Sequence, residues 1–256
     1  APLSAAIGIP GAVTAGMLAR SGRLRVVLCE GKVFPREKVC GEFVGPAARG
    51  VLGRFGVLEA FDAAGGPWVK RVEVHVAGRE MPLAAALPGH DGDDAEVWGR
   101  AVPRGALDAL LLDRARSLHA EVLQPCHVRC VLGNGRDGFV VESACGELAA
   151  RAVVLAHGLA QRGGMERVPA ARRARSRESG DGYLCFKTHL TGCRLDAGTI
   201  AIGGGDGFYA GLVRTGRCGG GLGADDGGAM WSLAFVISRR RMERFGARAD
   251  EQLAAI

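Results

Sequence analysis

The chain has 256 residues, 48% of them apolar and 23% charged, which fits one large globular domain or two small ones and excludes a disordered chain. Its 41 glycines follow no fixed period, which excludes a collagen-like repeat. Lysine plus arginine exceeds aspartate plus glutamate by 33 − 27 = 6, but only four of the bases are lysine (Lys32, Lys38, Lys70, Lys187). So strong an arginine bias follows from a GC-rich genome as readily as from phosphate recognition, so the net charge is discounted.

No apolar run reaches the roughly eighteen residues of a bilayer span, so no transmembrane segment is expected. The eight cysteines, at 29, 40, 126, 130, 145, 185, 193 and 218, form no CxxC, and no signal-peptide pattern precedes them. Reduced thiols in a cytoplasm are the expectation.

From the front, a weak strand runs into Gly8-Ile9-Pro10-Gly11 and a helical pattern over Ala12 to Arg20 that stops at Gly22. Arg23 to Glu30 is a short aliphatic run that reads as a strand buried on both faces of a parallel sheet. The result is a βαβ unit whose closing acid, Glu30, lies 19 positions after Gly11. That is the separation at which a dinucleotide fold sets a carboxylate against a ribose; a solvent-facing strand end is the plainer alternative. In the GxGxxG register the three positions hold Ala6, Gly8 and Gly11, and the proline at 2 suggests that the first strand is an edge.

Residues 34 to 61 read as a polar loop and then a helix with Val51, Leu52, Phe55, Leu58 and Phe61 on one face. Residues 68 to 83 alternate as strands around Ala77-Gly78, and 84 to 96 read as loop. A helix is expected over Gly105 to Leu118. Strands follow at Glu121 to Leu132 and Phe139 to Glu142 around a glycine-rich turn, then a buried strand from Leu148 to Ala156. Six arginines within 160–181 come without interleaved aromatics, which favours a solvated linker over a nucleic-acid surface. Strands such as Tyr183 to Leu190 and Trp231 to Ser238 follow, then a helix from Arg240. The pattern is a nucleotide-type α/β core, interrupted near 67–99 by antiparallel strands, resumed, and followed by more of them.

The nonamer Phe34-Pro35-Arg36-Glu37-Lys38-Val39-Cys40-Gly41-Glu42 resembles the FAD-dependent oxidoreductases that include geranylgeranyl reductases and aromatic hydroxylases. The Val102-Pro103-Arg104 helix start, Glu121 to Val131 and Ala156-His157-Gly158 support the same resemblance. Phe186 to His189 and Gly207 to Val213 look like paired strands of that family's substrate domain. The resemblance implies a Rossmann-like FAD-binding parallel sheet interrupted by and followed by an antiparallel substrate-domain sheet. Its FAD domain would be 1–66 with 100–160, its substrate domain 67–99 with 182–238, and its C-terminal helix 239–256.

It further implies that Gly8, Pro10 and Gly11 bring amides to the FAD pyrophosphate and that Glu30 accepts from the adenosine ribose. Arg36 and Arg104 would lie near the pyrophosphate and ribityl chain, Cys40 and Gly41 near the ribityl and flavin edge, and Val128 would offer its backbone to adenine. No catalytic side chain is singled out, and Cys126, Val128 and Cys130 face away from His127 in a strand, against a metal site. The implied enzyme is cytoplasmic, takes NAD(P)H as donor, and either hydroxylates a small apolar or aromatic substrate or reduces a carbon–carbon double bond. The substrate's identity and the oligomeric state stay open.

Two departures stand out: His157-Gly158 replaces an Asp-Gly pair, and a Gly-Asp before a C-terminal helix is missing, so a truncated or degenerate relative is expected. The alternative function is a scaffold of this kind without turnover.

Overall fold

The computed structural model describes residues 3–6, 9–76, 81–91, 96–156, 182–216 and 229–245. The chain divides into two compact units, Ala1–Arg36 with Leu52–Ala60 and Leu107–Ala174, and Glu37–Val51 with Phe61–Ala106 and Arg175–Ile256. The expected nucleotide domain thus yields 37–51, 61–66 and 100–106 to the second unit. The reason is local pairing: Phe43 faces Ala101 and Trp68 faces Arg100, so Phe43–Val44, Gly99–Ala101 and Trp68–Val69 make one small sheet.

The first unit is built on a four-stranded parallel sheet in the order Glu121–Leu123, Val26–Cys29, Leu3–Ala6, Ala152–Val154. Val26–Cys29 is buried throughout, as its aliphatic run implied. Leu3–Ala6 is an interior strand rather than an edge; the proline at 2 precedes the ladder and removes none of its bonds. Helix Ile9–Ala19 buries Ala12, Ala15 and Ala19. A Cβ on its Gly16 would stand 2.7 Å from Phe55 Cε2 and 3.1 Å from Ala115 Cα, so only glycine permits this approach.

A three-stranded antiparallel sheet of Val128–Asn134, Gly138–Ser143 and Gly146–Ala150 completes this unit. The single strand expected over 121–132 is two, interrupted at Gln124-Pro125. The expected strand 148–156 likewise divides: Gly146–Ala150 joins a hairpin with one face in solvent, and Ala152–Val154 joins the parallel sheet. The single helix expected near 51–61 is also two, Arg49–Phe55 and Leu58–Ala64, broken at Gly56 with φ 78°.

The second unit carries a six-stranded sheet in the order Tyr183–Leu190, Trp231–Ser238, Phe208–Arg214, Thr199–Gly205, Arg71–Val76, Leu83–Ala86. All pairs are antiparallel except Thr199–Gly205 with Arg71–Val76. Phe186–His189 and Gly207–Val213 are therefore not paired. Trp231–Ser238 lies between them, because its eight residues ladder with both neighbours. Residues 84–86, expected as loop, complete the edge strand.

Directly opposed residues share a face. Cys185, Lys187 and His189 therefore lie on one side with Val236, Ala234, Tyr209, Ile202 and Val72, while Phe186 stacks on Phe235 at 5.0 Å on the other. The arginine-rich stretch 160–181, His157 and Gly158 lie outside the described residues. No helix among the described residues is long and apolar enough to cross a membrane.

Candidate functional site

In the first unit the chemistry gathers at the carboxyl end of the parallel sheet. Ala6 pairs with Cys29, so Glu30 leaves the sheet beside the point where the first strand turns toward helix Ile9–Ala19. Strand Val26–Cys29 lies on one side of Leu3–Ala6 and Ala152–Val154 on the other, which makes this end a topological switch point.

Glu30 is not a loose strand end: it is 6% exposed, its N–H donates to Leu123 O at 2.9 Å, and its carbonyl accepts from Cys126 N at 2.6 Å. Its Oε1 accepts the Lys32 amide at 2.8 Å, which orients the carboxylate. Gly11 is buried and Pro10 exposed in the first helical turn, which carries no acid to repel an anion; Gly8 lies outside the described residues. Val128 opens its strand opposite Ser143 and packs on Val27, Cys29 and Cys126. The Arg36 guanidinium sits over the Phe34 ring at 5.3 Å. A helix start with glycine at position 11 next to a fixed carboxylate is a donor and acceptor set that fits the pyrophosphate and ribose of FAD.

The remaining expected residues, Cys40, Gly41 and Arg104, belong to the second unit, where they surround a residue that sequence reasoning did not single out. Glu42 is 1% exposed and has φ 60°, a left-handed backbone rare outside glycine. Its amide donates to Cys40 Sγ at 3.4 Å, and its Oε1 accepts the Arg104 amide at 2.7 Å. Lys187 Nζ donates to carboxylate oxygens of both Glu37 and Glu42, and His189 Nε2 lies 2.9 Å from Glu42 Oε2.

Burial pushes the Glu42 carboxyl up, but hydrogen bonds from Lys187, His189 and the Arg104 amide outweigh it and hold its pKa below the ordinary carboxylate value. Burial pulls Lys187 down, and its bonds to Glu37 and Glu42 reverse the sign and raise it. Ligand atoms of Glu37, Glu42 and His189 lie within 4.8 Å of one another, but the Lys187 ammonium already bridges the two carboxylates.

Beside this cluster, on the same sheet face, lies a cavity of about 520 Å³ rimmed by Val39 to Phe43 and walled by Val72, Ile202, Tyr209, Val236 and their neighbours. Its size suits a small organic molecule, and its walls are chiefly apolar. The signal for the cluster was present in the sequence: one of four lysines stands two residues before a histidine in an apolar strand, hence on its face.

No family model and no curated protein sequence matches the chain. Solved structures do. The myxobacterial chondrochloren halogenase CndH, described as a new variant of FAD-dependent halogenases, superposes with a TM-score of 0.69 at 21% identity, over 99% of this chain and 56% of its own. Pseudomonas aeruginosa PqsL in complex with 2-aminobenzoylacetate gives 0.70 at 22%, over 95% and 62%. A flavoprotein/dehydrogenase from Cytophaga hutchinsonii gives 0.69 at 20%, over 99% and 60%. The chain spans less than two thirds of these proteins, and within that span its mixed α/β fold is the fold of FAD-dependent halogenases and their flavoprotein neighbours.

Proposed function

We propose that this chain binds FAD and serves a cytoplasmic FAD-dependent oxidoreductase acting on a small apolar or aromatic substrate, with NAD(P)H as electron donor. The observation that carries the reading is the buried, oriented Glu30 carboxylate at the switch point of a parallel sheet, next to a helix start without a side chain at Gly11. The apolar cavity on the six-stranded sheet supports the substrate class.

Bound FAD supplies the redox chemistry, either hydroxylation with dioxygen or reduction of a carbon–carbon double bond. The chain's own residues bind and orient. Glu30 would accept from the ribose hydroxyls, Gly8 and Gly11 would present N–H groups to the pyrophosphate with Pro10, which has no N–H, shaping the turn between them, and Val128 would meet adenine. Arg36 would neutralise phosphate charge, and the resemblance assigns Arg104, Cys40 and Gly41 to the phosphate and ribityl side of the cofactor. Glu42, held by Lys187 and His189, fixes the cavity rim.

Titration of the purified chain with FAD, followed by flavin absorbance and fluorescence, is expected to show saturable one-to-one uptake. Absence of uptake refutes the reading. Uptake without flavin-dependent NAD(P)H oxidation keeps the binding assignment and favours the scaffold without turnover.

A further inference from the structure

We propose that Cys126 and Cys145 form a dithiol site that takes up a hydroperoxide oxidant and closes into an intramolecular disulfide. The inference stands apart from the flavin reading and rests on the hairpin turn at 144–145 and the residues that lie against it. Val128 pairs with Ser143, and one residue further the Ala144 amide donates to His127 O at 2.9 Å. Ser143 pairs with Gly146, so Cys145 lies in the turn of this hairpin, and its thiol reaches the segment just before strand Val128–Asn134.

Side-chain contacts gather both cysteines at Ser143. The Cys126 thiol donates to Ser143 Oγ at 3.4 Å, and the same oxygen accepts the Cys145 amide at 3.1 Å. The Cys145 thiol reaches back to the carbonyl of Pro125, the neighbour of Cys126, at 3.7 Å. Cys145 is exposed and Cys126 fully buried, so the two have different access to an oxidant.

Burial pushes the Cys126 thiol up. Hydrogen bonding with the Cys145 and Ser143 side chains, the Cys145 amide and the Cys29 thiol outweighs it, leaving Cys126 below the ordinary thiol value. Its hydrogen bond with Cys126 pushes Cys145 the other way. Cys145, the exposed thiol, is the one that a peroxide reaches first, and the buried Cys126 is the partner that closes the disulfide.

The chemistry balances with hydrogen peroxide as oxidant. The Cys145 sulfur attacks a peroxide oxygen, the O–O bond breaks, and water leaves once the hydroxide takes up the thiol proton, giving a sulfenic acid. Cys126 sulfur then attacks that sulfur, the S–O bond breaks, and a second water leaves. Two electrons pass from the sulfurs to the peroxide. The site sits against the nucleotide end of the sheet, because the Cys126 amide donates to the Glu30 carbonyl.

The test uses the reduced full chain, treated with increasing hydrogen peroxide, quenched with N-ethylmaleimide and digested with trypsin without reductant. Cleavage at arginine separates the two thiols cleanly: residues 117–129 hold only Cys126, residues 137–151 hold only Cys145, and Cys130 falls between them. The expected result is a linked 117–129/137–151 pair that dithiothreitol resolves. It should vanish in Cys145→Ser, a substitution at an exposed turn residue, while a sulfenic-acid trap labels Cys145 in Cys126→Ser. Cys145 oxidised to sulfinic acid with Cys126 still maleimide-reactive overturns the proposal. So does a Cys126–Cys29 link, or full maleimide labelling of both cysteines after peroxide.

Discussion

Replacing Lys187 with methionine keeps the length of the side chain and deletes its charge. The Lys187 side chain is 6% exposed and that of Glu42 0%, so the substitution leaves a carboxylate buried with only His189 and the Arg104 amide to answer it. Breaking such a pair costs about 3–5 kcal/mol, and the surviving partners place Lys187→Met near the lower figure. Glu37, 60% exposed at its side chain, adds little to the total. All three tryptophans, Trp68, Trp98 and Trp231, belong to the second unit, so urea unfolding followed by tryptophan fluorescence reports on the part of the chain that holds the cluster. With a slope of about 1–3 kcal/mol per molar urea, a 3 kcal/mol loss moves the midpoint down by about 1–3 M. The double variant Lys187→Met/Glu42→Gln removes both charges and should regain most of that loss.

The pH dependence has a definite sign. The folded pKa of Glu42 lies below its unfolded value, so its contribution is complete above the ordinary carboxylate range and disappears as pH falls through the depressed folded value. Lys187 is shifted upward, so its share is complete below the ordinary lysine value and disappears as pH rises through the raised one. The gap between wild type and Lys187→Met should therefore narrow in acid. A loss below about 0.5 kcal/mol at neutral pH, or a gap that does not change in acid, would refute the assignment of a buried charge cluster.

Glu30→Gln should weaken FAD binding by about 10–100-fold, the equivalent of losing charged hydrogen bonds worth about 1.5–3 kcal/mol; titration by flavin fluorescence measures it, and unchanged affinity puts the ribose elsewhere. Gly16→Val places a Cβ against Phe55 and the Ala115 backbone and should destabilise the first unit by about 1–3 kcal/mol, read as a lower melting temperature by circular dichroism because this unit has no tryptophan. Asp62→Asn removes the charge and one of the two oxygens that accept two Arg49 bonds at 2.6 and 2.8 Å and one from Arg100 at 3.3 Å. With both arginines stacked on Trp68 at 4.8 and 4.3 Å, a changed Trp68 emission should accompany a loss of about 1–2 kcal/mol. Because the Arg49 hydrogen bond holds the Asp62 pKa low, that stabilisation too is present above the carboxylate range and lost in acid.

What the sequence made legible is what local chemistry dictates. The βαβ start, the burial of Val26–Cys29 and the strands Tyr183–Leu190 and Trp231–Ser238 follow from runs and breakers within a dozen residues. The misread features depend on partners distant in sequence. Leu3–Ala6 is interior because residues 152–154 pair with it, and Phe208–Arg214 does not pair with Tyr183–Leu190 because residues 231–238 intervene. Neither fact leaves a mark on the strand's own composition. The same holds for Glu42, whose partners Lys187 and His189 lie 145 and 147 residues away.

Glu42 also explains how a short loop can define one side of a ligand cavity. A left-handed backbone at a non-glycine residue costs about 1–3 kcal/mol and persists only where its surroundings fix it. Here the carbonyl of Glu42 accepts from Val102 N at 3.0 Å, its amide bonds Cys40 Sγ, and its carboxylate takes the Arg104 amide, Lys187 and His189. One residue thus ties the loop 39–43 to the start of helix Arg104–Ser117 and to strand Tyr183–Leu190. An uncharged or mobile rim would leave the cavity's polar end undefined. A buried carboxylate with oriented donors sets its position, and any ligand entering over Cys40 and Gly41 meets a wall whose geometry is already fixed.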